Sequence, residues 1–137
     1  MKILLASDCA EALREKARAL LEMHGAPGEV LVLGADGDVA GEPSDLEVVL
    51  FSPSVPQHPA AMAALLRLLE DPAIRWIQGP GAGVDHPLWQ GILDRGIRLT
   101  NASGIHAEPI AQYIFTYILF WERNVARHLA QQRDRHW

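Results

Sequence analysis

One cysteine, Cys9, and two lysines, Lys2 and Lys16, are all that the 137 residues contain of either type. A single cysteine excludes an internal disulfide framework and makes a thiolate-based metal site unexpected, so a reducing, cytoplasmic setting is the plain expectation. Positive charge comes almost wholly from arginine, and four arginines fall in the last fifteen residues, a local bias and not a docking patch. With a formal net charge of -5 and an isoelectric point near 5.6 there is no basic face for nucleic acid. Long hydrophobic runs are missing as well. The start "MKILLAS" is too short an apolar run for a signal peptide, and no stretch reaches the roughly 18 apolar residues of a membrane helix. No metal, nucleic-acid or membrane partner is expected.

What is present is 49% hydrophobic and 21% charged residues, the balance of a soluble globular chain. At this length a single domain buries roughly 65 to 70 per cent of its unfolded surface. Short apolar runs alternate with helical patterns. Ile3 to Ala6 reads as a buried strand. A helix follows, with Ser7 or Asp8 as its cap, Asp8 and Glu11 three residues on forming a capping-box-like pair, an apolar stripe of Ala10, Leu13, Ala17, Leu20 and Leu21, and Gly25 past its end. Glu29 to Gly34 and Leu46 to Ser52 read as strands, separated by the polar loop "GADGDVAGEPSD". Pro59 opens an Ala- and Leu-rich helix that ends at Asp71-Pro72. "IRWIQ", a short helix from Pro87 to Asp94, and "IRLTN" complete the series. This pattern predicts an α/β fold, a flavodoxin-like five-stranded parallel sheet with flanking helices.

Between "IRWIQ" and the short helix lies "GPGAGVD", residues 79–85, with three glycines in five positions. In open α/β sheets ligands bind beyond the carboxyl ends of the strands, where this loop sits. Glycines permit positive φ and close ligand approach. The consecutive amides of Gly81, Ala82, Gly83 and Val84 are therefore expected to form an anion-binding nest beside a helix N-terminus, for a phosphate or a carboxylate. A tight strand-to-helix turn is the other reading of the same glycines. Neither a G-x-G-x-x-G dinucleotide fingerprint nor a Walker loop fits, because Val84 and His86 stand where a last glycine belongs and no Gly-Lys-Ser/Thr follows. His86 adjoins the loop as a possible ligand contact. "HAEP" at 106–109 has the His-x-Glu of zinc deaminases without its Pro-Cys-x-x-Cys partner.

From Pro109 a helix of about 25 residues, 109–135, is expected. From Ile110 to Trp121 it is apolar almost all round, so a second surface, a further domain or a second copy, is expected to cover it. The end at His136-Trp137 reads as an interruption. Residues 1–102 and 103–137 are accordingly expected to be two parts, a binding domain and a helix that leads elsewhere.

The segments "GAGVDHP", "GIRLTNASGIHAEPIAQYIFTYIL" and "RHW" resemble the N-terminal part of the D-isomer-specific 2-hydroxyacid dehydrogenases, the group that holds glyoxylate/hydroxypyruvate reductases and phosphoglycerate dehydrogenases. The resemblance runs from the first strand to the terminal tryptophan. It implies that the flavodoxin-like part is the substrate domain, and that the loop matching Gly81 to Asp85 holds the substrate carboxylate through main-chain amides, with Ala82 and Gly83 as the central contacts. It also implies that the helix from Pro109 crosses to a cofactor domain and joins a homodimer interface. Gln112 departs from the family, which commonly has Glu there, and the family's dinucleotide motif and its catalytic Arg, Glu and His lie beyond the position of Trp137. No catalytic and no cofactor-binding residue is thus assigned.

Hydride transfer between NAD or NADP and a 2-hydroxy or 2-oxo acid is the chemistry implied, with this chain as the substrate-binding portion of a longer oxidoreductase, inactive alone. The alternative is a stand-alone carboxylate-binding or dimerisation module without redox activity.

Overall fold

The computed structural model describes residues 1–136, and Trp137, part of the end that reads as an interruption, lies outside them. The chain divides into two compact units, Met1–Ala102 and the segment from Ser103 onward.

The first unit is built on a six-stranded sheet in the order β3-β2-β1-β4-β5-β6. Its strands are β1 (Lys2–Ala6), β2 (Glu29–Leu33), β3 (Val39–Ala40), β4 (Leu46–Leu50), β5 (Trp76–Gln78) and β6 (Arg98–Thr100). Five run parallel, where the sequence predicts five. The sixth, β3, corrects that count: two residues of the expected polar loop fold back antiparallel on β2, pairing Val39 with Leu33 and Ala40 with Val32.

Strand β1 lies between β2 and β4, with Leu4 opposite Leu31 on one side and Val49 on the other. Its alternate residues feed two cores. Leu4 and Ala6 join Leu31, Leu33, Val49 and Ile77 against α2 (Pro59–Leu68) and α3 (Pro87–Asp94), through Ala61, Ala64, Leu65 and Ile92. Leu5 and Val30 meet Ala10 and Leu21 of α1 (Ser7–Met23) on the other face. Right-handed crossovers account for this split, because the chain moves one way along the sheet from β1 to β2 and the opposite way from β4 through β6. Helix α1 is thus the one helix of this unit on its face. Leu20, expected in its buried stripe, is 54% exposed, and Trp76 on β5 is 41% exposed.

The second unit holds α4 (Ala107–Glu122) and α5 (Val125–Arg133). The single helix expected over 109–135 is therefore two. Asn124 takes a left-handed conformation, φ 49° and ψ 38°, which ends one helix and starts the next. Asparagine tolerates this region better than most residues. No residue of α4 is buried. No described helix is long and apolar enough to cross a membrane.

Candidate functional site

The loop from Gly79 to His86 leaves the carboxyl end of β5 and enters α3. Its base is fixed by a chain of hydrogen bonds on one face of the sheet. Trp76 Nε1 donates to Thr100 Oγ1 at 2.8 Å, Thr100 Oγ1 donates to Gln78 Oε1 at 2.6 Å, and Gln78 Nε2 donates to the Gly79 carbonyl at 2.8 Å. The Gly79 amide donates to the Thr100 carbonyl at 2.7 Å and extends the β5–β6 pairing by one step.

Beyond that base the loop's polar groups are sorted. The Gly81 carbonyl accepts from the Ala102 amide at 3.0 Å, and the Ala82 carbonyl accepts from Asn101 Nδ2 at 2.9 Å. The amides of Gly81, Ala82, Gly83 and Val84 donate to no protein acceptor among the described residues, and all four residues are exposed. Two of the loop's carbonyls are consumed by the protein while these four donors stay free. Such a loop is complementary to an acceptor, above all an anionic one, and water satisfies it otherwise.

One expectation about this loop is corrected. Neither Gly79, Gly81 nor Gly83 has a positive φ, so the left-handed backbone that glycine permits is not used there. The bare backbone is also not forced by packing: a Cβ at Gly81 or Gly83 would meet nothing within 4 Å, and one at Gly79 would touch Trp89 at 3.7 Å, an ordinary contact. What the glycines leave open is approach from solvent. Helix α3 contributes little to a ligand. Pro87 has no N–H, the Leu88 amide donates to His86 Nδ1 at 3.2 Å, and the Trp89 amide donates to the His86 carbonyl at 2.9 Å. His86 is thus the helix cap and not a free side chain beside the loop.

A second polar group lies where the sequence reading sees only a helix cap. Residue Ala6, not Asp8, occupies the cap position of α1 and makes no side-chain cap bond. The Asp8 carboxylate instead accepts a hydrogen bond from Ser52 Oγ at 2.6 Å, across the junction of β1 and β4, and Ser52 Oγ lies 3.2 Å from Ser54 Oγ. Burial pushes the Asp8 carboxyl up, but the bonds from Ser52, Ser54 and the amides of Asp8 and Cys9 outweigh it and leave it below the usual aspartate value. Burial and the Asp8 charge raise the neighbouring Cys9 thiol, which donates to the Ala6 carbonyl at 3.2 Å. This junction is the point at which strand order reverses, the usual place for a crevice. An aspartate at one strand end and Ser-Pro-Ser at another was the available signal.

The residues present do not fit a dinucleotide. The turn from β1 into α1 carries no glycine and places Asp8 where a pyrophosphate would need helix amides, and the glycine loop runs into a helix end already capped. Among the described residues no group of three His, Cys, Asp or Glu side chains could hold a metal ion.

The chain matches no protein-family model and none of the curated proteins. Among solved structures it is similar to the crystal structure of phosphoglycerate dehydrogenase from Lactobacillus plantarum, with 21% sequence identity and a TM-score of 0.47. The match covers 100% of this chain and 40% of that one, so the chain spans less than half the length of the protein it resembles.

Proposed function

We propose that the chain is the substrate-binding portion of an NAD(P)-dependent oxidoreductase acting on D-2-hydroxy acids or the corresponding 2-oxo acids. The observation that carries this reading is the sorted loop: free amides on Gly81, Ala82, Gly83 and Val84, and the Gly81 and Ala82 carbonyls tied back to residues 101 and 102. The family resemblance of "GAGVDHP" and "TNASGIHAEPIAQY" supplies the substrate class. In this reading the loop grips the carboxylate, and no proton or hydride step belongs to a residue of this chain. The cofactor, which these residues do not fit, is held by residues outside it.

Open space at Gly83 makes the test clean. Gly83→Val is expected to melt within a few degrees of the wild type while abolishing binding of glyoxylate in a calorimetric titration. Equal affinity in the two proteins would remove the loop as the site. The isolated chain is expected to leave NADH unoxidised in the presence of glyoxylate or hydroxypyruvate. Turnover above the buffer rate would overturn the assignment of catalysis to residues elsewhere.

A second reading, a dimerisation module without redox chemistry, is favoured by one feature. Helix α4 exposes Ile110, Tyr113, Ile114, Phe115, Tyr117 and Ile118, each at least half accessible. It predicts self-association, and it leaves the loop without a reaction to serve.

A further inference from the structure

We propose that Asn101 is a positioning residue that sets the direction of the Gly83 amide, and with it the loop's capacity to take an anion. The inference rests on the loop being the carboxylate site and adds what makes it one.

A trans peptide is planar, with its C=O and N–H pointing to opposite sides, and no peptide bond among the described residues is cis. Whatever holds one carbonyl therefore aims the next residue's amide. The Ala82 carbonyl is held by Asn101 Nδ2 at 2.9 Å, which turns the Gly83 N–H away from the end of β6. The Gly81 carbonyl is held by the Ala102 amide at 3.0 Å, which does the same for the Ala82 N–H. The two amides at the centre of the loop are aimed by two adjacent residues on a different strand end.

These anchors differ in kind. Ala102 uses its main chain, which no side-chain substitution removes. Asn101 uses a side-chain amide, whose nitrogen must face the carbonyl it serves. Gly83 has no Cβ, and the space about it is open, so little in the loop itself resists rotation of the 82–83 peptide. Rotation by half a turn presents the Ala82 carbonyl in place of the Gly83 amide, an acceptor where an anion needs a donor. The Asn101 bond selects between these faces. Its own position is secured, because it follows Thr100, whose carbonyl and hydroxyl are both tied to β5.

The test is an NMR titration of the ¹⁵N,¹³C-labelled 137-residue chain with glyoxylate. In the wild type the Ala82 and Gly83 amide resonances are expected to move together. In Asn101→Ala the Gly83 response is expected to vanish while the Ala82 response persists, with affinity about ten-fold weaker, the scale of one lost charge-assisted bond. Asn101→Asp keeps the shape, cannot donate when ionised, and is expected to lose the Gly83 response as well. An unchanged Gly83 response in Asn101→Ala overturns the proposal. Loss of both responses together also overturns it, since that marks a loosened loop and not one turned peptide. If the wild type shows no response at either amide, the carboxylate reading fails. The role of Asn101 is then decided without ligand: a shifted Ala82 carbonyl ¹³C resonance in Asn101→Ala upholds it, and an unmoved one overturns it.

Discussion

At the scale of the residue, Asp8 shows how one side chain can answer two different rules. Its place at the start of α1 suggests a cap, yet its carboxylate reaches Ser52, 44 residues away, at 2.6 Å. Local rules read the nearest backbone amides, and a buried hydroxyl at the end of another strand competes for the same oxygen. Because those bonds favour the charged form, the folded protein holds Asp8 below its ordinary value. The stability this confers is complete above the unfolded-state value of about 3.9 and fades as pH falls through the folded one. Asp8→Asn is thus expected to lower the melting temperature at pH 7, with the deficit shrinking below about pH 4; a deficit that stays constant down to pH 2 would mean that the charge is not what Ser52 recognises. Glycines divide in the same local way. Gly37 has φ 89°, and a Cβ there would come within 2.8 Å of the Ala60 carbonyl, whereas Gly81 meets nothing. Gly37→Ala should cost about 1–3 kcal/mol by urea denaturation, and Gly81→Ala should stay within about 0.5 kcal/mol of the wild type.

At the scale of the element, α3 is held at its start by His86 Nδ1 on the Leu88 amide. His86→Ala should cost about 0.5–2 kcal/mol of stability, and His86→Asn, a good cap, should restore most of it. Denaturation curves that rank the two variants equally would show that the capping bond does not matter. The elements themselves were largely legible. Continuous apolar runs such as "ILLA" and "VLVL" mark strands buried on both faces, and Pro87 with Gly96 brackets α3. Two features were not. Strand β3 is two residues long and exists through its pairing with Val32 and Leu33, which no local pattern announces. The break at Asn124 is a single left-handed residue inside a run whose apolar character alone specifies helix. The loop was half legible: its bareness shows in "GPGAGVD", but the sorting of its carbonyls depends on Asn101 and Ala102, about twenty residues on.

At the scale of the whole molecule, the apolar content decides what the chain does with itself. The first unit closes two cores around β1, and its exposed large apolar side chains, such as Leu20 and Trp76, are scattered over several elements. In the second, α4 carries Phe115 at 63%, Tyr117 at 58% and Trp121 at 83% exposure. Each large apolar side chain moved out of water contributes roughly 1.5–3 kcal/mol, so covering even four of them outweighs a substantial part of the entropy lost on association. A helix with that surface, in a chain of net charge -5, is expected to gain a partner. The occupant we expect is a second copy of the same chain, because an isologous pairing of two α4 helices lets one apolar surface cover another of the same kind. Sedimentation velocity should then give a species of twice 15.1 kDa at tens of micromolar. Phe115→Glu with Ile118→Glu should return it to a monomer whose loop still binds glyoxylate, since Gly81 to Val84 and their anchors belong to the first unit. A wild-type chain that sediments as a monomer throughout that range would overturn self-association, and the exposed helix would then require a different protein surface.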